Sequence, residues 1–367
     1  MIKRFSKVQN MESQSAGQWS DFLYRSLPDS GYITLQDLYG DGSRRRFFRV
    51  EGAARPAVLM VNPDPPCHAQ SGVNENDTYV YIAGVLREAG GLPPEVIAYD
   101  REKGLVLLED LGDRHLQSEV LARGPESDWT RDVYRRLIEL LVTLQVDCAE
   151  RFEPSRSFNP RYDSDFMYQA EGLYFTDYFV ERLCGIKKRG LKKDLRRLAR
   201  FAGSLIGCEV LLYRDFQSRN IMLGEGGEFR LLDFQGARLG PPAYDPASLI
   251  YDPYIRLTDL MREELISYYS RTLAKRLPSA AEEFERQFPF IAAHRLMQVL
   301  GAYGKLSLID GKSYFLQYVP QAFLDLMKLL QSDLFSPYPA FCEAVFTIHQ
   351  ENLNSLTGGN ISDIALT

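Results

Sequence analysis

The chain has 367 residues, 45% of them hydrophobic and 25% charged, which is the make-up of an ordinary globular protein. That length exceeds one usual domain and predicts two lobes sharing a cleft. The net charge of −6 gives no broad basic field, so neither nucleic acid nor an anionic membrane surface is an expected partner. The first ten residues, MIKRFSKVQN, hold no signal-peptide core, and no apolar run is long enough to span a bilayer. Five cysteines (Cys67, Cys148, Cys184, Cys208 and Cys342) lack paired spacing, so neither a zinc site nor a disulfide framework is expected. A reduced, cytoplasmic setting is the expectation.

In chain order, residues 1–18 are polar, and 19–27 has the pattern of a short amphipathic helix. Strands are expected at 32–38, at 45–50 and at Ala57–Val61, with the turn Gly40-Asp41-Gly42-Ser43 between the first two. Asn62-Pro63 and Pro65-Pro66 end the third. A helix is expected at 77–89, with Tyr81, Val85 and Leu86 on one side, stopped by Pro93-Pro94. Strands follow at 96–99 and Leu105–Glu109. Glu109-Asp110-Leu111-Gly112-Asp113 then breaks the β pattern and reads as a hinge between lobes or as an ordinary acidic turn. From Trp129 the chain turns helical, with Val133, Leu137, Leu140, Leu141 and Leu144 at core spacing. The Tyr- and Phe-rich stretch 166–183 reads as packing, and the basic run 187–200 as a solvated helix face. Helical patterns dominate from 261 to about 350. The expected division is a small lobe at 19–111, a large lobe at 112–350 and a polar tail at 351–367.

The most informative stretch is 212–235, LYRDFQSRNIMLGEGGEFRLLDFQ. Val210–Leu212 is an apolar strand leading into a loop with Asp215 and, five residues on, Asn220. Ile221–Leu223, a Gly-rich turn and a strand at 229–234 form a hairpin that folds Asp233 back toward Asn220. Phosphoryl transfer uses such a set: an Asp that takes the acceptor proton, and an amide oxygen and a carboxylate that hold Mg²⁺ against phosphates. The kinase pattern H-R-D-x-x-x-x-N followed by D-F-G appears here as Tyr213-Arg214-Asp215 to Asn220 and Asp233-Phe234-Gln235. An ordinary surface loop explains Asp215 and Asn220 alone; it does not account for Asp233 between flanking strands.

At these motifs the chain resembles the aminoglycoside phosphotransferase/choline kinase superfamily, and within it the N-acetylmuramate/N-acetylglucosamine 1-kinase type. The likeness runs from about 40 to 320. It rests on GDGSRRRFFRV, VLLEDLGD, YRDFQSRNIM, LLDFQGARLGPPAYDPASL and HRLMQVLGAYGKLSLIDGKSYFLQYVP. It implies an α+β, protein-kinase-like fold with a small β-rich lobe and a large helical lobe. It also implies ATP- and Mg²⁺-dependent phosphorylation of a small-molecule hydroxyl, the anomeric hydroxyl of an amino sugar first among the acceptors. Carried over by position, Asp215 is the catalytic base, Asn220 and Asp233 are the metal ligands, and Ser43 belongs to the phosphate loop. Glu109 and Leu111 flank the adenine hinge, and Asp245 braces the catalytic loop.

Two departures stand out. Tyr213 replaces the usual His, which is tolerable if its hydroxyl finds a partner. The third strand, within AVLMVNP, carries no Lys where kinases pair the phosphates. Strand alternation puts Arg44 and Arg46 on one face and Arg45 and Arg49 on the other, and Arg46 is the residue favoured to replace that Lys. A solvated strand edge is the other reading of these arginines. Glu171, Asp177, His294 and Arg295 are candidates for the acceptor pocket, with surface or core positions as the alternative. Choline, homoserine or an aminoglycoside remains open as acceptor, and so does a pseudokinase acting through protein contacts.

Overall fold

The computed structural model describes residues 14–15, 17–38 and 45–351. The expected glycine turn with Ser43, and the tail beyond residue 351, lie outside the described residues. The amino-terminal part holds β1 (Gln14–Ser15), α1 (Ser20–Ser26), β2 (Thr34–Leu38), β3 (Arg46–Glu51), β4 (Ala57–Val61), α2 (Glu75–Glu88), β5 (Val96–Asp100) and β6 (Leu105–Glu109). Its strands form one antiparallel sheet of six in the order β1-β2-β3-β4-β6-β5.

Period-two alternation sorts the two faces of this sheet. Phe48, Val50, Leu59, Val61, Leu105 and Leu107 face α1 and bury Phe22 and Leu23 in a small separate core. Met60, Val106 and Leu108 face the other way and join the main core. The register pairs Phe47 with Met60 and Arg49 with Val58. The N-terminus of α2 is closed by a capping box between Asn74 and Asp77, a feature worth about 1 kcal/mol.

After β6 come α3 (Leu116–Arg123), α4 (Asp128–Ala149) and the single turn α5 (Ser164–Phe166). Two π-helical runs follow, Met167–Gly172 and Phe175–Leu183. Then come α6 (Leu191–Ser204), β7 (Val210–Leu212), β8 (Ile221–Leu223), β9 (Phe229–Leu231) and β10 (Arg238–Gly240). The remainder is α7 (Tyr244–Ile250), α8 (Asp259–Ala274), α9 (Pro278–Leu308), α10 (Val319–Leu330) and α11 (Pro339–Glu351).

The large part is therefore helical, with two short ladders, β7 with β10 and β8 with β9. The basic helix starts later than its charge pattern suggests, because Gly190 turns left-handed (φ +90°) just before it. Its apolar side, with Leu191, Leu195 and Leu198, is buried, which leaves the lysines and arginines as the solvated face.

The long helix α9 runs behind the cleft against the second π-helical run, and two glycines make that approach possible. A Cβ on Gly301 would stand 3.0 Å from the Phe175 nitrogen, and one on Gly304 would stand 2.6 Å from the Tyr178 carbonyl oxygen. Both glycines belong to the HRLMQVLGAYGKL motif, so that motif encodes helix packing as well as site residues. Among the described residues no helix is long and apolar enough to cross a membrane. All five cysteines are free.

Candidate active site

The site is built where β7 ends. Leu212 is fully buried, and residues 213–220 emerge from it as a loop held by two buried carboxylates. Asp245 of α7 accepts the backbone N–H of Tyr213 at 2.7 Å and of Arg214 at 2.8 Å, and the Gln145 amide at 3.2 Å. Asp252 accepts the N–H of Ser218 at 2.8 Å and of Tyr254 at 3.0 Å. Burial pushes the Asp245 carboxyl up to about 7, against the hydrogen bonds that hold it down. Burial raises Asp252 as well. Arg214 sits at φ +82°, a conformation that a side-chain-bearing residue adopts only when its surroundings enforce it. The Asp245 bonds supply that enforcement.

The other end of the loop is tied to the hairpin. The Asn220 side-chain amide donates to the Asp215 carbonyl at 2.9 Å. The Asn220 carbonyl accepts the Leu232 N–H at 2.8 Å and so extends the β8–β9 ladder by one step. The Tyr213 hydroxyl donates to the Leu232 carbonyl, which is the partner that a Tyr in place of His requires. Asp233 follows at φ +62°. These bonds bring Asp215, Asn220 and Asp233 to one cleft of about 1130 Å³ between the sheet and the helical part.

Asp233 Oδ1 accepts from Arg45 Nη2 at 2.6 Å and from Gln235 Nε2 at 3.0 Å. Burial works to raise the Asp233 carboxyl, but Arg45, the Gln235 bond and Arg214 together hold it below the usual carboxylate range. The donors facing the cleft, a carboxylate and an amide oxygen, are hard oxygen ligands. They suit Mg²⁺, which usually takes one or two protein carboxylates and completes its octahedron with phosphate and water. Among the described residues no three His, Cys, Asp or Glu side chains group into a metal site of their own.

The segment after β6 is tied to β3 by ion pairs. Arg49 Nε lies 2.6 Å from Asp110 Oδ2, and Arg49 Nη2 lies 2.9 Å from Asp113 Oδ1. Asp110 Oδ1 also accepts the Gly112 N–H at 2.9 Å, and Gly112 is left-handed at φ +77°. Leu111 lines the cleft, and Val58, Leu108 and Met222 add apolar surface beside it. The Glu109 side chain is engaged elsewhere: it meets Arg230 of β9 at 2.6 Å and accepts the Glu95 N–H at 3.1 Å. Burial opposes its charge, and those two bonds still keep its carboxyl below the usual range. Any contact of Glu109 with a base is thereby left to its main chain.

Several candidates fall elsewhere. Arg46 turns outward, its side chain 57% exposed, pairing with Asp37 at 3.3 Å and covering the Phe48 ring. Arg45 takes the cleft side instead, 7% exposed. The physical reason is strand phase: Phe48 and Val50 bury on the α1 side, which turns Arg46 to that side and Arg45, Phe47 and Arg49 to the cleft. Of the four acceptor-pocket candidates, only Arg295 lines the cleft. Its Nη1 is 3.6 Å from Asp215 Oδ1 and its Nη2 donates to Gln217 at 3.0 Å. Glu171 is buried under the loop and accepts the hydroxyls of Tyr162 at 2.6 Å and Tyr244 at 3.0 Å, with His294 beside it at 3.3 Å. Asp177 lies on the surface with Lys192 at 3.0 Å.

Sequence reasoning did not single out Gln217, Gln298, Tyr303, Lys305 or Asp310, which also line the cleft. Gln298, Tyr303 and Lys305 stand at helical spacing from Arg295, and that was the available signal. Arg214, seen only as part of the motif, places Nη1 3.8 Å from Asp215 Oδ2. The catalytic-loop carboxylate therefore lies between two guanidinium groups.

A small antiparallel sheet hinged onto a helical body, with Asp, Asn and Asp side chains facing the cleft between them, defines a kinase-like phosphotransferase. The chain belongs to the phosphotransferase enzyme family, whose sequence profile matches residues 34–284, and it is a small-molecule kinase. It is similar to the N-acetylmuramate/N-acetylglucosamine kinase of Pseudomonas aeruginosa, with 29% identity over 77% of this chain and 80% of that one. The Neisseria meningitidis serogroup B protein of the same name is 28% identical over 86% of this chain and 91% of its own. Among solved structures, choline kinase from Streptococcus pneumoniae superposes with a TM-score of 0.52 at 13% identity, covering 83% of this chain and 96% of that chain.

Proposed function

We propose that this protein transfers the γ-phosphate of ATP, with Mg²⁺, to the anomeric hydroxyl of N-acetylmuramate or N-acetylglucosamine, in the cytoplasm. The observation that carries the reading is the convergence of Asp215, Asn220 and Asp233 on one cleft beside a hinge. The names of the similar kinases support the acceptor. The free cysteines suit a reducing compartment.

Each residue then has a task. Asp215 takes the acceptor proton on a carboxylate oxygen, and Arg214 and Arg295 aim that carboxylate into the cleft. Asn220 and Asp233 would hold Mg²⁺ through their side-chain oxygens. Bound there, the ion would neutralise charge on the transferring phosphoryl group. The main chain at Glu109 and Leu111 meets the adenine edge, and the Arg49 bridge keeps the hinge from opening. Catalysis comes from positioning and fixed charge more than from covalent chemistry.

The charge of the acceptor end bears on the choice of substrate. With the acceptor placed beside Asp215, it meets Arg214 and Arg295, 3.8 Å and 3.6 Å from that carboxylate, and Arg219, Lys305 and Asp310 line the same cleft. Such a lining suits a neutral or anionic sugar and disfavours a polycationic aminoglycoside. ADP release, followed with purified protein, ATP, Mg²⁺ and a panel of acceptors, tests this. N-acetylmuramate or N-acetylglucosamine should stimulate release and yield an acid-labile phosphate, while choline and kanamycin should not. Stimulation by kanamycin alone would overturn the acceptor reading, and an acid-stable phosphomonoester would overturn the anomeric position.

A further inference from the structure

The lysine that kinases carry on the third strand of this sheet is absent. The strand reads Ala57-Val58-Leu59-Met60-Val61, and the V-A-I-K pattern sets its Lys at Met60, two residues after the cleft-lining Val58. Met60 is fully buried in the main core and offers no charge. In kinases that Lys pairs the α/β-phosphates, so a triphosphate in this cleft would lack its usual small-lobe cation.

Arg45 is placed to be that cation. The register sets Phe47 opposite Met60 and Arg46 opposite Val61. Arg45 therefore leaves the sheet on the face of Phe47 and Met60, one strand over from the missing lysine. Its side chain reaches across the cleft to Asp233 Oδ1 at 2.6 Å. Glu75, at the first turn of α2, also lines the cleft and adds an attractive field on the guanidinium. The cation is thus bonded to the aspartate that ends the hairpin, in the field of an acid on α2.

That arrangement has a consequence for metal binding. A charge-assisted guanidinium–carboxylate bond occupies one oxygen of Asp233. A free divalent ion must displace that cation or bind beside it. A metal–triphosphate complex offers the guanidinium a new anionic partner at the moment it gives up Asp233.

Resting on the reading of this cleft as a nucleotide site, we propose that Arg45 has two positions. Without nucleotide it neutralises Asp233 and holds free metal off. With the metal–nucleotide complex it moves to the phosphates and serves as the small-lobe cation that β4 lacks. Metal and nucleotide then bind with positive coupling, because each removes a cost the other would meet alone.

Two binding titrations test this without any turnover. Mn²⁺ alone is titrated by electron paramagnetic resonance, and Mg²⁺–ATP by calorimetry, on wild type, Arg45→Met and Arg45→Lys. Arg45→Met should bind Mn²⁺ at least about threefold tighter than wild type and Mg²⁺–ATP at least about tenfold weaker. Arg45→Lys should keep Mg²⁺–ATP affinity within about threefold of wild type. A merely structural arginine does not produce changes of opposite sign. Unchanged or weaker Mn²⁺ binding in Arg45→Met, or unchanged Mg²⁺–ATP binding, overturns the proposal. If Arg45→Met does not melt cooperatively, Arg45→Gln takes its place in both titrations. Wild type that binds no Mg²⁺–ATP removes the nucleotide reading and this proposal together, whereas Arg45→Met that binds it as well as wild type does removes the proposal alone.

Discussion

The side-chain amide of Asn220 donates to the main-chain carbonyl of Asp215 at 2.9 Å. This bond spans the loop and commits the nitrogen end of the amide to the backbone. The oxygen end is thereby turned toward the cleft that Asp233 faces. One interaction closes the loop and, in the proposed mechanism, also aims a metal donor.

Asn220→Ala should show both effects. Loss of the bond should lower stability by about 1 kcal/mol. In thermal-shift titrations the stabilisation by ATP that depends on Mg²⁺ should largely disappear, while any metal-independent part remains. An unchanged Mg²⁺-dependent shift would mean that Asn220 only shapes the loop.

Tyr213→Phe isolates the hydroxyl that meets the Leu232 carbonyl. The ring packs against Phe216 and Phe234 and should stay in place, so the variant loses a donor without opening a cavity. Leaving that carbonyl without its donor should cost about 1–3 kcal/mol in urea unfolding. It should also slow turnover, because the bond ties the start of the loop to the residue before Asp233. Stability equal to wild type would show that the hydroxyl is dispensable.

Asp245 makes stability depend on pH. Folded, its carboxyl titrates at about 7, against an ordinary value of 3.8. Between those limits the folded chain holds more proton than the unfolded one. The stability contributed by this group is therefore full below about pH 4 and is lost as pH rises toward 7. Asn does not titrate, so the advantage of wild type over Asp245→Asn should shrink across that window, by at most about 1.4 kcal/mol per pH unit. Urea unfolding of both proteins at pH 5, 6 and 7 checks the sign. A difference that grows with pH contradicts it.

What the sequence shows, and what it hides, follows from how local each feature is. The hairpin that returns Asp233 to Asn220 lies within one short stretch, where apolar strands and a Gly-rich turn leave little choice of path. Its observed ladder, Ile221 opposite Leu231, bears this out. The phase of β3 is different. Arg45-Arg46-Phe47-Phe48 puts one arginine and one phenylalanine on each face, so alternation alone cannot say which arginine enters the cleft. The answer depends on α1, which covers Phe48. Glu171 and His294 misled for a related reason. The partners of Glu171, Tyr162 and Tyr244, come from separate segments, as does His294 beside it, and only the folded chain shows this polar cluster to be buried. The glycines of α9 look like loop residues in a string, but they permit close helix approach.

In the proposed mechanism Asp215 takes the acceptor proton and does not hold the nucleotide. Asp215→Asn changes that carboxylate with almost no change of shape, and a melting curve verifies the fold. The decisive measurement compares the turnover number with Mg²⁺–ATP affinity in this variant, using N-acetylmuramate and N-acetylglucosamine as acceptors. General-base contributions run to about 10²–10⁴ in rate. Turnover should fall at least about a hundredfold while Mg²⁺–ATP affinity stays within about threefold of wild type. Parallel loss of affinity and rate, or undiminished turnover, would contradict the account.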